Sequence, residues 1–175
     1  IGKKWNDTLG MGQTYNSLGS TYNKMGNFPL ALSSFQKSLT YKEKRNDKMG
    51  MSNTYINIGS IYQSMSVFDK AEEYILKGAK VKEEIGDKYG VAGALKNLSI
   101  IYTRTGKVEK SITVLESIRK DYNAFMDPYL KSAVLGNLAE AYQKVGHLNK
   151  AIESAKECLK IREELGDSIE VSYSL

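Results

Sequence analysis

The six residues NIGSIY (57–62) return, with small changes, every 40 residues along the chain. The related segments are SLGSTY (17–22), NLSIIY (97–102) and NLAEAY (137–142). The final tyrosine keeps this spacing in all of them, and so does an aspartate that precedes each segment. A single active site has no use for several copies of one segment, whereas a stack of similar building blocks requires them. The sequence therefore predicts a repeat protein.

Each repeat is predicted to contain two helices. In the first repeat, apolar and small residues recur at intervals of three and four from Tyr15 to Tyr22. After a break, the same spacing continues from Phe28 to Leu39. This spacing is that of one face of an α-helix. Glycine before the break is typical of a helix C-terminus, and aspartate is a favoured N-cap of the next helix. The predicted helices are 8–25, 28–45, 48–65, 68–85, 88–105, 108–125, 128–145 and 148–165, with the start of a ninth.

The period also divides the chain. The predicted repeats are 7–46, 47–86, 87–126 and 127–166, with the end of a preceding repeat at 1–6 and the start of a further one at 167–175. Because a two-helix hairpin cannot bury its own apolar stripe, each repeat must stack on its neighbours, and residues 1–175 are predicted to form a single array. Tyr62 and Tyr102 belong to this stripe and are expected to be largely buried between helices. Since both ends cut through repeats, we expect a piece of a longer array that associates end to end.

Two repeats depart from the pattern. Ser66 stands where the first and last repeats have a turn glycine, and Ile118 stands where the other repeats have a small residue. The segment RKDYNAFM (119–126) also replaces the regular end of the second helix in the third repeat. We therefore expect local distortion at the end of that helix.

The composition excludes several classes of protein. Hydrophobic residues make up 41% of the chain and charged residues 26%, as in ordinary globular domains, and no apolar run is long enough for a membrane span. The net charge is +5, but basic and acidic side chains alternate, so nucleic-acid binding is not predicted. The lone cysteine, Cys158, excludes an internal disulfide and favours a reducing, cytoplasmic location.

Catalytic groups are also sparse. His147 falls in a predicted turn, and Cys158 falls at a packing position between helices. The sequence contains neither a glycine-rich phosphate loop nor a cluster of residues with metal-ligand spacing. No enzymatic activity, cofactor or metal is therefore predicted.

The residues Leu18, Gly19, Tyr22, Ala31 and Phe35 resemble the tetratricopeptide repeat signature. In that signature, a Leu-Gly pair and a tyrosine of the first helix pack against an alanine and an aromatic residue of the second. The usual repeat has about 34 residues. Longer units ending in EELGD resemble those of spindle-orientation adaptors, kinesin light chains, and bacterial peptide-responsive regulators and sensor kinases. The resemblance implies an all-α, right-handed solenoid of antiparallel helix pairs whose first helices line a concave groove.

Binding of a protein or extended peptide is the function that this resemblance implies. An asparagine amide both donates and accepts hydrogen bonds, so it can pair with the backbone of an extended peptide. Basic residues outnumber acidic ones around the predicted groove, which favours an acidic partner segment. The candidate binding residues are Asn16, Asn57, Asn97, Asn137, Gln63, Lys96, Arg104 and Lys144.

Alternatives to this interpretation remain. Tetratricopeptide domains that clamp a C-terminal carboxylate use a set of Lys, Asn and Arg side chains that only Asn57 and Lys96 match here, so that narrower function is not favoured. The asparagines are equally compatible with bonds to a neighbouring helix or to water. The chain is accordingly either the recognition part of a larger signalling or regulatory protein, or a structural spacer or self-association module without a peptide ligand.

Overall fold

The computed structural model describes residues 8–166, and all the regular secondary structure in that range is helical. The helices are α1 (Thr8–Lys24), α2 (Phe28–Lys44), α3 (Lys48–Ser64), α4 (Phe68–Glu84), α5 (Lys88–Arg104), α6 (Val108–Tyr122), α7 (Pro128–Lys144) and α8 (Leu148–Glu164). Seven of the predicted helices are confirmed to within one residue at each end. The predicted end of a preceding repeat and the predicted start of a ninth helix lie outside the described residues.

The third repeat is distorted as expected. Helix α6 ends at Tyr122, and a short 3-10 helix, Asn123–Phe125, follows it. Met126 then adopts an extended backbone, and Asp127 caps α7 by accepting a hydrogen bond from the backbone N–H of Leu130 at 2.8 Å. The irregular sequence therefore shortens one helix without disturbing the start of the next.

The turns inside the repeats share one backbone conformation. Gly26, Gly106 and Gly146 have φ values of 73°, 76° and 77°, which glycine adopts without steric penalty. In the second repeat Ser66 takes the same left-handed conformation with φ of 59°. The missing glycine therefore leaves the turn intact and places a strained residue in it.

The chain divides into two compact units, Ile1–Ala94 and Leu95–Leu175. In the first unit Phe35 and Leu39 of α2 form a buried cluster with Ile58 and Ile61 of α3. In the second unit α6 packs against α7, and both helices bury apolar side chains. The largest of these are Leu115, Ile118, Val134 and Leu138. Each unit thus contains its own hydrophobic core.

Small residues allow close packing within the repeats, as predicted. A Cβ atom added at Gly19 would lie 3.0 Å from the Phe35 ring. One repeated position of the second helices also donates a hydrogen bond to the first helix: Ser38 Oγ to Gly12 O at 2.8 Å, and Cys158 Sγ to Ser132 O at 3.2 Å. The predicted packing role of Cys158 is confirmed.

The tyrosines that end the repeated hexapeptide differ in burial. Tyr102 is buried, as expected from its apolar stripe. Tyr62 is only half-buried, contrary to the same expectation. Its ring stacks on Tyr74 with centroids 5.6 Å apart and lies under the Lys70 amine, 5.2 Å away.

Candidate functional site

The predicted asparagines lie on the first helices of the repeats. Asn16 and Asn57 belong to α1 and α3 in the first unit, and Asn97 and Asn137 belong to α5 and α7 in the second. All of them are half-buried. Partial burial keeps an amide reachable, and its hydrogen-bond partners then decide whether it is available to a ligand.

The Asn16 amide oxygen is used inside the first unit. It accepts hydrogen bonds from Lys42 Nζ at 3.3 Å and from Thr54 Oγ1 at 3.2 Å. The Lys42 amine also donates to Thr54 Oγ1 at 2.7 Å and to Gly50 O at 3.2 Å. Burial lowers the pKa of Lys42, and the nearby Asp47 carboxylate partly opposes this shift. At this position the amide helps to hold neighbouring helices together.

Two buried lysines were missed by the sequence reasoning. Lys42 and Lys82 stand 40 residues apart, and both are buried near the end of the second helix of their repeat. The Lys82 amine contacts Asp87 Oδ2 at 2.8 Å, and this hydrogen bond is the main reason why the pKa of Asp87 lies below its ordinary value. Lys42 precedes Asp47 by the same interval by which Lys82 precedes Asp87, and this repeated spacing could have indicated the two lysines from the sequence.

A cleft lies between α5 and α7 in the second unit. Its volume is about 240 Å³, and its lining side chains are Ile100, Thr103, Arg104, Asn137 and Glu140. The structure thus brings two of the predicted binding residues, Arg104 and Asn137, to one cavity. Thr103 Oγ1 is already engaged, since it donates to Ser111 Oγ at 2.8 Å.

Asn137 is the exceptional polar group of this cleft. Its Nδ2 atom is buried, and it is the one buried side-chain nitrogen or oxygen in the described part of the chain without a hydrogen-bond partner. Buried polar groups nearly always have such a partner, so an unpaired one requires an explanation. Asn137 lines the cleft, so rotation of its side-chain amide would turn this donor toward an acceptor bound there.

Basic side chains surround the cleft. Lys96 stands one helical turn before Ile100 and therefore shares its face of α5. Burial lowers the pKa of Lys96, and within residues 8–166 its amine has neither a hydrogen-bond nor an ion-pair partner. Arg104 is exposed, while Lys144 pairs with Glu140 across 3.6 Å on the surface of α7. The cleft thus has more free positive than negative charge.

The remaining candidates lie elsewhere. Asn57 and Gln63 are half-buried on α3 in the first unit, and Asn97 is half-buried on α5. His147 is exposed in its turn, with its ring 6.0 Å from that of Tyr142. The described residues contain no group of three or more His, Cys, Asp or Glu placed to hold a metal ion. Among α1 to α8, no helix is long and apolar enough to cross a membrane.

The repeat pattern and this helical geometry agree with a sequence comparison. The family profile described as "Tetratricopeptide repeat" matches residues 10–84 and 90–164. The chain belongs to the tetratricopeptide repeat family. Its two matched segments cover all eight described helices except the first two residues of α1 and of α5. No curated protein sequence matches this tetratricopeptide chain at a significant level.

Solved structures show the same fold. The crystal structure of BtubC (BKLC) from P. vanneervenii is 20% identical over 94% of this chain and 68% of that one, with a TM-score of 0.81. The apo form of RapI is 14% identical over 94% of this chain and 60% of that one, with a TM-score of 0.85. Putative kinesin light chain repeats from Podosopora anserina are 14% identical over 94% and 81%, with a TM-score of 0.75. The predicted class, an all-α tetratricopeptide solenoid, is confirmed.

Proposed function

We propose that this tetratricopeptide protein is an interaction scaffold that binds an extended, acidic segment of a partner protein in the cleft between α5 and α7. The observation that carries the proposal is the buried, unpaired Nδ2 of Asn137. Leaving a buried donor unpaired costs about 1–3 kcal/mol. If the Asn137 amide rotates toward the cleft that it lines, a backbone carbonyl of a bound peptide can accept this hydrogen bond and remove the penalty.

The size of the cleft supports an extended ligand. Its volume of about 240 Å³ is the liquid volume of roughly eight water molecules. Ile100 supplies an apolar wall, whereas Asn137, Arg104 and Glu140 supply polar ones. Such a mixed lining is suited to a peptide that inserts one side chain while its backbone pairs with the amide.

The charges support an acidic ligand. Lys96 is a half-buried amine without a partner in the described chain, and Arg104 lies on the cleft itself. A carboxylate from the partner would pair with these cations and raise the pKa of Lys96 back toward its ordinary value. Complementary charge also accelerates association and makes it dependent on salt.

The proposal extends to the other candidate residues. Asn57, Gln63 and Asn97 are proposed as additional contacts to the same class of ligand, and Lys144 as part of the basic surroundings. We place this binding function within a larger signalling or regulatory protein, supported by the resemblance of the repeats to bacterial peptide-responsive regulators. The internal hydrogen bonds of Asn16 favour a structural role, rather than ligand binding, for that one residue.

A peptide-display experiment tests the proposal. A library of random, unstructured decapeptides is selected against the purified chain, and the selected peptides are measured by calorimetry. We expect enrichment in Asp and Glu, binding that weakens with salt, and about tenfold weaker binding by Asn137→Ala. Gln143→Ala is the matched control, because Gln143 is exposed on the same helix outside the cleft lining.

Several results would overturn the proposal. If Asn137→Ala binds the selected peptides as tightly as the parent, the cleft is not the site. If the selected peptides are basic or purely apolar, the charge argument is wrong. If no peptide is selected, the spacer alternative gains support. Neither variant may melt at a lower temperature than the parent, because a loss of fold would also weaken binding.

A further inference from the structure

Helix α8 has an open apolar stripe. Its residues are Leu148, Ile152, Ala155 and Leu159, whose spacing of four, three and four places them on one helix face. Leu148, Ile152 and Leu159 are 59%, 54% and 45% exposed. Beside the first three residues lies a groove of about 290 Å³, which Ala139 and Gln143 of α7 also line. The residues that line this groove are not among those that line the α5–α7 cleft.

Two of these positions are buried in the first repeat. Leu39 of α2 corresponds to Leu159 and is only 2% exposed, and Phe35 corresponds to Ala155 and is 1% exposed. The side chains that cover α2 come from α3 of the next repeat, chiefly Ile58 and Ile61. The stripe on α8 is therefore the surface that a following first helix covers within this fold.

Helix α1 has the complementary open stripe. Leu18 is 39% exposed, although its counterpart Ile58 is only 2% exposed, and Thr21 is exposed although its counterpart Ile61 is fully buried. The counterparts in α5 and α7 are buried as well: Leu98, Ile101, Leu138 and Ala141. The stripe on α1 is therefore the surface that covers a preceding second helix, and α1 lacks a preceding partner among the described residues.

We propose that the α1 stripe of one copy of this chain packs on the α8 stripe of a second copy and reproduces the α2–α3 contact between molecules. Every chain has one α1 stripe and one α8 stripe, so the two surfaces are present in equal numbers. No residue of α1 before Lys24 is charged, so docking of this helix removes no charge of its own from water. Ala155 also leaves room where Phe35 fills the corresponding space in the first repeat.

This contact is heterologous, because different surfaces of the two copies meet. A pair of chains joined in this way still has one free α1 stripe and one free α8 stripe. Heterologous contacts either close into a ring or continue as an open chain of copies, and in both cases the average mass rises with concentration. The proposal is independent of peptide binding, since none of its residues lines the α5–α7 cleft.

Sedimentation velocity of the purified chain, measured from micromolar to millimolar concentration, tests the proposal. We expect the average mass of the parent to rise with concentration above that of a monomer. Leu18→Asp and Ile152→Asp each place a carboxylate in the contact and should weaken association by about tenfold or more. Leu76→Asp is the control, because Leu76 is 44% exposed on α4 outside both stripes. Thr21→Asp and Leu159→Asp replace any variant whose helical signal is lost.

Mixing the two variants tests the head-to-tail arrangement itself. Leu18→Asp retains an intact α8 stripe, and Ile152→Asp retains an intact α1 stripe, so an equimolar mixture should form pairs and no larger species. If Leu18→Asp alone associates like the parent, two α8 stripes meet symmetrically and the proposal is wrong. A parent that remains monomeric throughout, or a Leu76→Asp variant that loses association equally, also overturns it.

Discussion

Replacing Gly59 with alanine should destabilise the protein, although alanine is the better helix former. Helix α3 approaches α4 so closely that an added Cβ would lie 2.7 Å from Ile75 Cγ1. It would also lie 3.2 Å from both Ala71 O and Ile75 N. Ile75 is fully buried, so its side chain cannot move into solvent, and the other two atoms belong to the backbone of a helix.

The magnitude follows from two opposing terms. Alanine in place of glycine gains about 1 kcal/mol of helix propensity. Overpacking of a tight core costs about 1–3 kcal/mol and more when backbone atoms must shift. At Gly59 the second term dominates, and we expect a net loss of about 1–2 kcal/mol in the free energy of unfolding. Gly93 is the matched control, because an added Cβ there meets no atom within 4 Å. Gly93→Ala should therefore gain up to about 1 kcal/mol.

Urea denaturation followed by far-ultraviolet circular dichroism measures both variants. A second substitution, Ile75→Leu, should recover at least half of the loss caused by Gly59→Ala. The reason is that the third repeat buries Ser99 and Leu115 at the two corresponding positions, so a Cβ and a leucine coexist there. If Gly59→Ala stabilises the protein as much as Gly93→Ala does, the close approach of α3 and α4 is not a constraint and the reasoning is refuted.

Two further predictions concern the turns. Ser66→Gly should raise the urea midpoint by an amount equivalent to about 1 kcal/mol, because glycine adopts the φ of 59° found at Ser66 without penalty; an unchanged midpoint would show that the serine is not strained. The pKa of Asp87 is lowered from 3.8, mainly by the hydrogen bond from Lys82. The ionised carboxylate therefore stabilises the fold at pH values above 3.8. This stabilisation is lost as the pH falls through the lower pKa of the folded state. Asp87→Asn should therefore show a smaller loss of stability on acidification than the parent in denaturation at several pH values, whereas equal losses would contradict the assignment.

The sequence alone was sufficient for the helices because the repeat supplies redundant evidence. Each helix boundary is indicated several times by the same glycine or aspartate, and the apolar spacing recurs in register. The structure therefore departs from prediction only where that redundancy ends, at RKDYNAFM (119–126), where α6 stops early. The burial of Tyr62 is also lower than predicted, whereas Tyr102, whose ring lies under the equivalent Lys110, is buried as predicted.

The candidate site was much less predictable. Asn57, Asn97 and Asn137 occupy one repeat position, yet among the described residues only Asn137 has a buried, unpaired side-chain nitrogen. Asn16, one position earlier in its repeat, instead accepts hydrogen bonds from Lys42 and Thr54. This difference depends on which side chain reaches across from the neighbouring helix. A repeat pattern aligns equivalent positions and contains no information about such distances. The cleft between α5 and α7 arises from the same packing details.

Nuclear magnetic resonance of the Asn137 side-chain amide is a direct test of peptide binding in the cleft between α5 and α7. The chain is labelled with nitrogen-15 and titrated with the acidic peptide obtained by display. If the peptide binds in this cleft, the Asn137 NH₂ signals shift strongly on binding, and so do the backbone signals of α5 and α7 near Arg104 and Asn137. Contradictory results would be unchanged Asn137 signals at saturation, or shifts confined to the second helices α6 and α8.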